Sequence, residues 1–312
     1  MGHMIAGSWV ADTDTLDSTS KEGHWQRTPS VIRSWIGRDV DLPAERDRYH
    51  LYVAWNCPWA HRVLLVRAIL GLEDILPVSI VAPRRTEEGW VFEPSSGYAD
   101  HLNGHDALHE VYARGQNDYD GRVTVPLLVD SKTGQLVSNE SSDLMRMLPE
   151  AFGALSMSKI DLYPTERRAE IDDWNDRVHR GLNNGVYRAG FAQTQEAYDA
   201  AIEDVFSTLD ALEQQIAGKD FVLGEALTEV DLRLFPTLAR FDVAYHTAFK
   251  CTRKRLIDYP ELWDYARRIY ALPGVKSTVK FDIYRQGYFS PSPKRNPLGI
   301  VATAPDISWD QE

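Results

Sequence analysis

At 312 residues the chain has room for two domains and a sizeable core, and its 43% hydrophobic and 26% charged content is that of an ordinary soluble globular protein. A formal charge of −12 excludes a general phosphate-binding surface, so no nucleic-acid partner is expected. No apolar run approaches the roughly 20 residues that span a bilayer and no secretory pattern opens the chain, which points to the cytoplasm and away from a membrane.

Two cysteines, Cys57 and Cys251, make no disulfide framework, and no Cys/His spacing of the zinc type occurs, so free thiols and no metal are expected. Met1 to His3 precede a second methionine, Met4, suit neither a helix nor a strand, and read as added residues. Residues 1–48 read as a loop-dominated N-terminal arm whose Trp9, Trp25 and Trp35 dock on the body. From Tyr49 the pattern changes. YHLYVAW alternates as a strand, Asn56-Cys57-Pro58 breaks it, and WAHRVLLVRAIL has helical spacing up to Gly71. LPVSIVA, 76–82, reads as a second strand, giving a βαβ unit with a parallel pair.

The segment 84–121 is long and punctuated, with a helix at 105–114. RVTVPLLVD, SKTG and QLVS then predict a hairpin with Gly134 in the turn, and SNESSDLMRML a helix capped by Ser138 or Asn139 with Glu140 in its first turn. These elements make residues 49–150 one α/β domain. Beyond a link around 150–163, residues 164–280 are predicted to be all-helical, with helices at 165–184, 194–217, 229–248 and 260–271. Thr228 and Asp231 form a capping pair, so Asp231 is a folding device. Residues 281–312 lose periodicity and read as an irregular tail.

Cys57 carries the functional argument. With Cys57 as N-cap and Pro58 as the first helical residue, the sulfur faces free N–H groups and the positive end of a helix, which stabilise a thiolate. The competing reading is a cysteine that only caps or packs. A dithiol site would resolve its mixed disulfide with a second cysteine, but that position is Ala60, so an outside thiol must finish the reaction, and glutathione is the simplest supply. Cys251, in the charged segment FKCTRKR, reads as uninvolved. Pro126 in TVPLL belongs at a strand start or edge, as a candidate cis bond, and leaves the Val125 backbone to pair with an extended peptide. At the following helix, Ser141 and adjacent N–H groups suit an α-carboxylate and Glu140 an α-amino group, as at the γ-glutamyl end of glutathione, although simple capping explains a Glu-Ser pair as well.

The run RYHLYVAWNCPWAHRVLLVRAILGLEDILPVSIV, Gly89-Trp90, GRVTVPLLVD, NESSDLMRML, NNGVYRAGFA, FKC and NPLGIV, spread over about residues 30–303, resembles the glutathionyl-hydroquinone reductases, or xi-class glutathione transferases. The resemblance implies a thioredoxin-like N-terminal domain followed by an all-helical glutathione-transferase C-terminal domain, in a homodimer. It implies that Cys57 takes the glutathionyl sulfur from a glutathionylated aromatic small molecule, with glutathione as co-substrate. Trp90, Val125, Glu140 and Ser141 then contact glutathione, and Tyr187, Tyr245 and Tyr288 line the aromatic site. Pro126 belongs with Val125, and Arg122 is a candidate carboxylate partner or a solvated strand-edge residue. His61 and Arg62 either orient the site or sit on the surface. The tail DIYRQGYFSPSPKRNP and Asn56 depart from the family pattern. Two other readings stay open: an omega-like thiol transferase or cleaver of aromatic thioethers, and a non-catalytic aromatic-ligand binder on the same fold.

Overall fold

In the computed structural model, which describes residues 2–11, 19–156, 158–293 and 295–310, the chain divides into two units. Met1, residues 12–18 of the predicted arm and residues 294, 311 and 312 of the predicted tail lie outside the described residues. The first unit joins Met1–Leu16 to Pro29–Lys159, and the second joins Asp17–Thr28 to Ile160–Glu312. The arm therefore contributes to both.

The first unit carries, in order, β1 (His3–Ile5), β2 (Ser8–Val10), β3 (Tyr49–Val53), α1 (Pro58–Ile69), β4 (Val78–Ile80), α2 (Leu108–Gly115), β5 (Gly121–Arg122), β6 (Leu127–Asp130), β7 (Leu136–Ser138) and α3 (Ser141–Phe152). Strands β4, β3, β6 and β7 form one sheet in that order, with β3 parallel to β4 and antiparallel to β6, and β6 antiparallel to β7. This is the thioredoxin-like arrangement. Every residue of β3 is buried, as befits a strand covered on both faces. Helix α1 is buried along its first nine residues; each of Val63, Leu65 and Val66 adds ~1.5–3 kcal/mol by leaving water.

Several local expectations need correction. His3, taken as an added residue, sits in β1, which pairs with both β2 and β5 to give a second small sheet. In RVTVPLLVD only Leu127–Asp130 joins the main sheet, because proline brings no N–H to the ladder; the Val125–Pro126 bond is cis. The cap of α3 is Glu140 itself, whose carboxylate accepts from the Ser142 N–H, while Ser138 Oγ accepts from the Glu140 N–H. Residues 30–34 of the arm run along β7: Ser34 N–H donates to Val137 O at 2.8 Å and Asn139 N–H to Ile32 O at 3.1 Å. Arg33 makes a two-pronged pair with Asp143 on α3, both contacts at 2.7 Å.

The second unit is helical: α4 (Arg168–Val178), α5 (Gly185–Phe191), α6 (Gln195–Ile216), α7 (Glu229–Arg240), α8 (His246–Ala248), α9 (Pro260–Tyr270), α10 (Val275–Thr278) and α11 (Phe281–Tyr288). Two predicted helices are interrupted. π-helical turns at His179–Asn183 and Phe241–Tyr245 come after α4 and α7, where the sequence pattern runs one helix through each. The tail is not irregular throughout, since α11 lies in it.

Asp231 is the polar anchor of this unit. Its two carboxylate oxygens accept from Thr228 N–H, Thr228 Oγ1, Val222 N–H and Tyr265 Oη at 2.8–3.0 Å, in a fully buried site. Burial pushes its carboxyl above the usual range although these bonds pull the other way. Asp231→Ala orphans all four donors and is expected to lower stability by about 3–5 kcal/mol, read as a shifted urea midpoint with an unchanged slope.

Candidate active site

The cysteine is where strand, turn and helix chemistry meet. Cys57 has an extended backbone, its N–H donates to Ala54 O at 3.1 Å, and its half-buried sulfur accepts the Ala60 N–H at 3.5 Å as the N-cap of α1. The same thiol donates to Val125 O at 3.5 Å. The carbonyl ahead of the cis-proline thus lies directly against the sulfur. Val125 itself is buried. Asn56 Nδ2 holds the turn by donating to Pro83 O at 3.0 Å.

Glu140 and Ser141 open α3, with Ser141 buried as the first helical residue. The Glu140 carboxylate accepts from Ser142 N–H at 2.9 Å and Ser142 Oγ at 2.8 Å. Burial alone would raise it, but these two bonds, the Ser30 hydroxyl and the charge of Arg62 hold it below the usual carboxylate range. Arg62 and His61, for which surface positions were one option, are both buried, and the Arg62 guanidinium lies 4.5 Å above the Trp59 ring. Trp90 is buried with the Arg85 guanidinium 4.1 Å above its ring. Arg122 sits in β5 opposite His3, and its carbonyl accepts from Tyr119 Oη at 3.0 Å.

The second unit gathers the three tyrosines. Tyr288 Oη lies 2.6 Å from Tyr187 Oη and 3.0 Å from Tyr245 Oη, so it is the shared member of a hydroxyl chain. Phe249 packs 5.2 Å from the Tyr187 ring and 5.3 Å from Tyr245, and Trp25 stacks on Tyr187 at 5.9 Å. Gly190 makes room for Phe249, because a Cβ there would stand 2.3 Å from its ring. Burial raises the Tyr245 and Tyr288 phenols well above their ordinary value, so both keep their protons at neutral pH. The fully buried Arg240 works against that rise. Its guanidinium stacks 3.7 Å over Tyr284, one turn before Tyr288, and donates to Pro236 O at 2.9 Å. Burial disfavours its charge, yet the phenol oxygens of Tyr284, Tyr288, Tyr245 and Tyr187 outweigh burial.

The family models for the glutathione S-transferase N-terminal and C-terminal domains match residues 56–151 and 195–268. The glutathionyl-hydroquinone reductase YqjG of Escherichia coli is 43% identical, across 100% of this chain and 97% of the relative. The reductase PcpF of Sphingobium chlorophenolicum is also 43% identical, over 98% and 96%. The crystal structure of the glutathione S-transferase Xi of Phanerochaete chrysosporium superimposes with a TM-score of 0.89 at 41% identity, over 94% of this chain and 96% of that one. The chain belongs to the xi-class glutathione transferases. A glutathione-bound structure of YqjG, similar at TM-score 0.87 over 90% of this chain and 94% of that one, shows that relative holding the tripeptide.

Within this xi-class chain the atypical tail still delivers Tyr288 to the hydroxyl chain, because α11 supplies it. Sequence reasoning missed Ser142, Arg85 and Arg240, and left open whether Arg62 orients the site or sits on the surface. Ser142 had a signal, lying two residues after Glu140 at capping distance, and Arg85 lies five residues before the Trp90 it covers; Arg240 meets Tyr284 across 44 positions. Among the described residues no three His, Cys, Asp or Glu side chains gather where they could hold a metal, and no helix is long and apolar enough to cross a membrane.

A glutamate held below its ordinary value of 4.5 adds stability above that pH and loses it as pH falls through the folded-state value. Glu140→Gln is therefore expected to be less stable by ~1 kcal/mol at neutral pH, with a narrower gap at about pH 3. Urea titrations at the two pH values measure it.

Proposed function

We propose that this chain reduces glutathionyl-hydroquinones with glutathione, and that Cys57 is its nucleophile. The observation that supports this reading most directly is the sulfur seated at the first turn of a 12-residue helix, against the carbonyl that precedes the cis-proline. In the proposed reaction the Cys57 thiolate attacks the sulfur of the glutathionyl-hydroquinone. The bond from that sulfur to the ring breaks, the ring carbon takes up a proton, and hydroquinone leaves. A second glutathione thiolate attacks the glutathionyl sulfur of the mixed disulfide, oxidised glutathione departs, and Cys57 returns as thiolate. The ring gains two electrons and the two glutathione sulfurs lose them.

In this assignment the Val125 carbonyl exchanges the thiol for an N–H of the bound tripeptide, with Pro126 keeping it free of the sheet ladder. Glu140, ionised at neutral pH, takes the α-amino group, and Ser141 with the first turn of α3 takes the α-carboxylate. Trp90 walls the site, and Arg122 is the remaining candidate for a carboxylate. Tyr187, Tyr245 and Tyr288 are assigned the aromatic ring and the proton it takes up, a role supported by their linked hydroxyls.

The omega-like and thioether-cleaving readings use the same Cys57 and differ in the aromatic released, whereas the ligand-binder reading requires no turnover. The test is release of menadiol from glutathionyl-menadione with glutathione, measured by chromatography. The parent is expected to release it, Cys57→Ala to release none while binding glutathione as before, and Cys57→Ser to retain a trace at most. Tyr288→Phe should slow release about 10–100-fold. Treatment with oxidised glutathione should add one glutathionyl group at Cys57 and none at Cys251, whose buried thiol is pushed up to about 12. Absence of menadiol release with an intact adduct would favour the other transferase readings; absence of both would favour a binder.

The same reading makes the chain a cytoplasmic homodimer, consistent with two free cysteines. Light scattering should then give twice the chain mass.

A further inference from the structure

We propose that the N-terminal hairpin is a strap that holds two walls of the glutathione site in register, with Trp9 as its positioning residue. The inference rests on the assignment of Trp90, Arg122 and Val125 to glutathione.

One side of the hairpin is tied to the segment that leads into the cis-proline. Strand β1 lies between β2 and β5, with His3 opposite Arg122 and Met4 opposite Gly121. The hairpin turn adds two bonds there: Gly7 N–H donates to Tyr119 O at 3.1 Å and Ala6 N–H to Asp120 Oδ1 at 2.7 Å. Arg122 is three residues ahead of Val125, so the strap ends where the peptide-pairing carbonyl begins.

Its other side grips the turn before Trp90. The Trp9 indole stacks on His109 at 4.8 Å and 10° between planes, and its Nε1–H donates to Glu87 O at 3.1 Å. His109 Nε2 lies 2.9 Å from Glu88 Oε2, which ties the stacked ring to the same turn. Thr86 and Gly89 close that turn by exchanging two 3.0 Å hydrogen bonds, with Gly89 at φ +72. A Cβ on Gly89 would stand 2.9 Å from the Trp9 ring, so the indole lies close against the backbone there. Trp90 comes immediately after, its ring buried beneath Arg85.

A sheet of three strands, each two or three residues long, gains little by itself. Its inner residue Met4 is buried, but the rest of its strands is half-buried or exposed. What it supplies is placement. A turn whose backbone is clamped by an indole need not be ordered when the tripeptide arrives, so the strap lowers the cost of binding rather than the barrier of the chemical step.

The experiment uses the full chain and measures kcat and KM for glutathione with glutathionyl-menadione, alongside thermal unfolding. Trp9→Ala is expected to raise KM for glutathione about fivefold to tenfold with kcat at saturating glutathione held within about twofold. Trp9→Phe keeps the stack on His109, gives up the bond to Glu87, and should restore most of the loss. Asp120→Ala, which loosens the hairpin turn without touching Trp9, should raise KM in the same direction and serves if Trp9→Ala does not fold. Parental KM in Trp9→Ala and Asp120→Ala, or lowered kcat and melting temperature at parental KM, overturns the strap, provided Trp90→Ala raises KM. If Trp90→Ala keeps the parental KM, the glutathione assignment of this turn fails and the strap falls with it.

Discussion

A sulfur at the first turn of a helix faces N–H donors on one side and, in this chain, a carbonyl oxygen on the other. The Ala60 N–H and the Val125 carbonyl both lie 3.5 Å from Cys57 Sγ. The first contact suits an anion; the second suits only a thiol that still carries its proton. The sulfur thus sits between a backbone donor and a backbone acceptor, and only the donor suits it without a proton. Much of the first unit serves to hold that arrangement. Strand β3 and helix α1 are buried almost throughout, and Val125, just ahead of Pro126, lies outside β6.

The buried charges share a common pattern. Glu140 is desolvated, yet Ser142 donates to it twice and Arg62 adds its charge, so the carboxylate persists. Asp231 has four donors and its carboxyl is still raised, because it is wholly buried and its donors are neutral. Arg240 is wholly buried too, and it keeps its proton beside phenol oxygens and the Pro236 carbonyl. Each carries a desolvation penalty that hydrogen bonds or neighbouring charge must offset. The two outside the capping box lie next to groups that the proposed chemistry uses.

The helical unit shows how small irregularities place side chains. The π turn Phe241–Tyr245 inserts one residue into the path of α7, which rotates the next turn of the chain and brings Tyr245 into contact with α11. A continuous helix through 229–248, as periodicity suggests, would carry Tyr245 to a different face. A second π turn, His179–Asn183, lies ahead of the helix that carries Tyr187.

Short-range chemistry was legible in the chain itself. The alternation of YHLYV, the proline after Cys57, the Thr228–Asp231 box and the turn at Gly134 each depend on residues a few positions apart, so local sterics and capping decide them. The cap at Glu140 was misplaced by one or two residues because several neighbouring side chains can accept the same N–H, and only the folded backbone chooses among them. Tertiary structure alone decided the rest. It paired a three-residue strand at the N-terminus with Gly121–Arg122, buried Arg62 and Arg240, and joined Tyr187 to Tyr288 across 101 positions. Such contacts leave no periodic trace, since the partner that stabilises each residue lies in another element and is fixed only by how the elements pack.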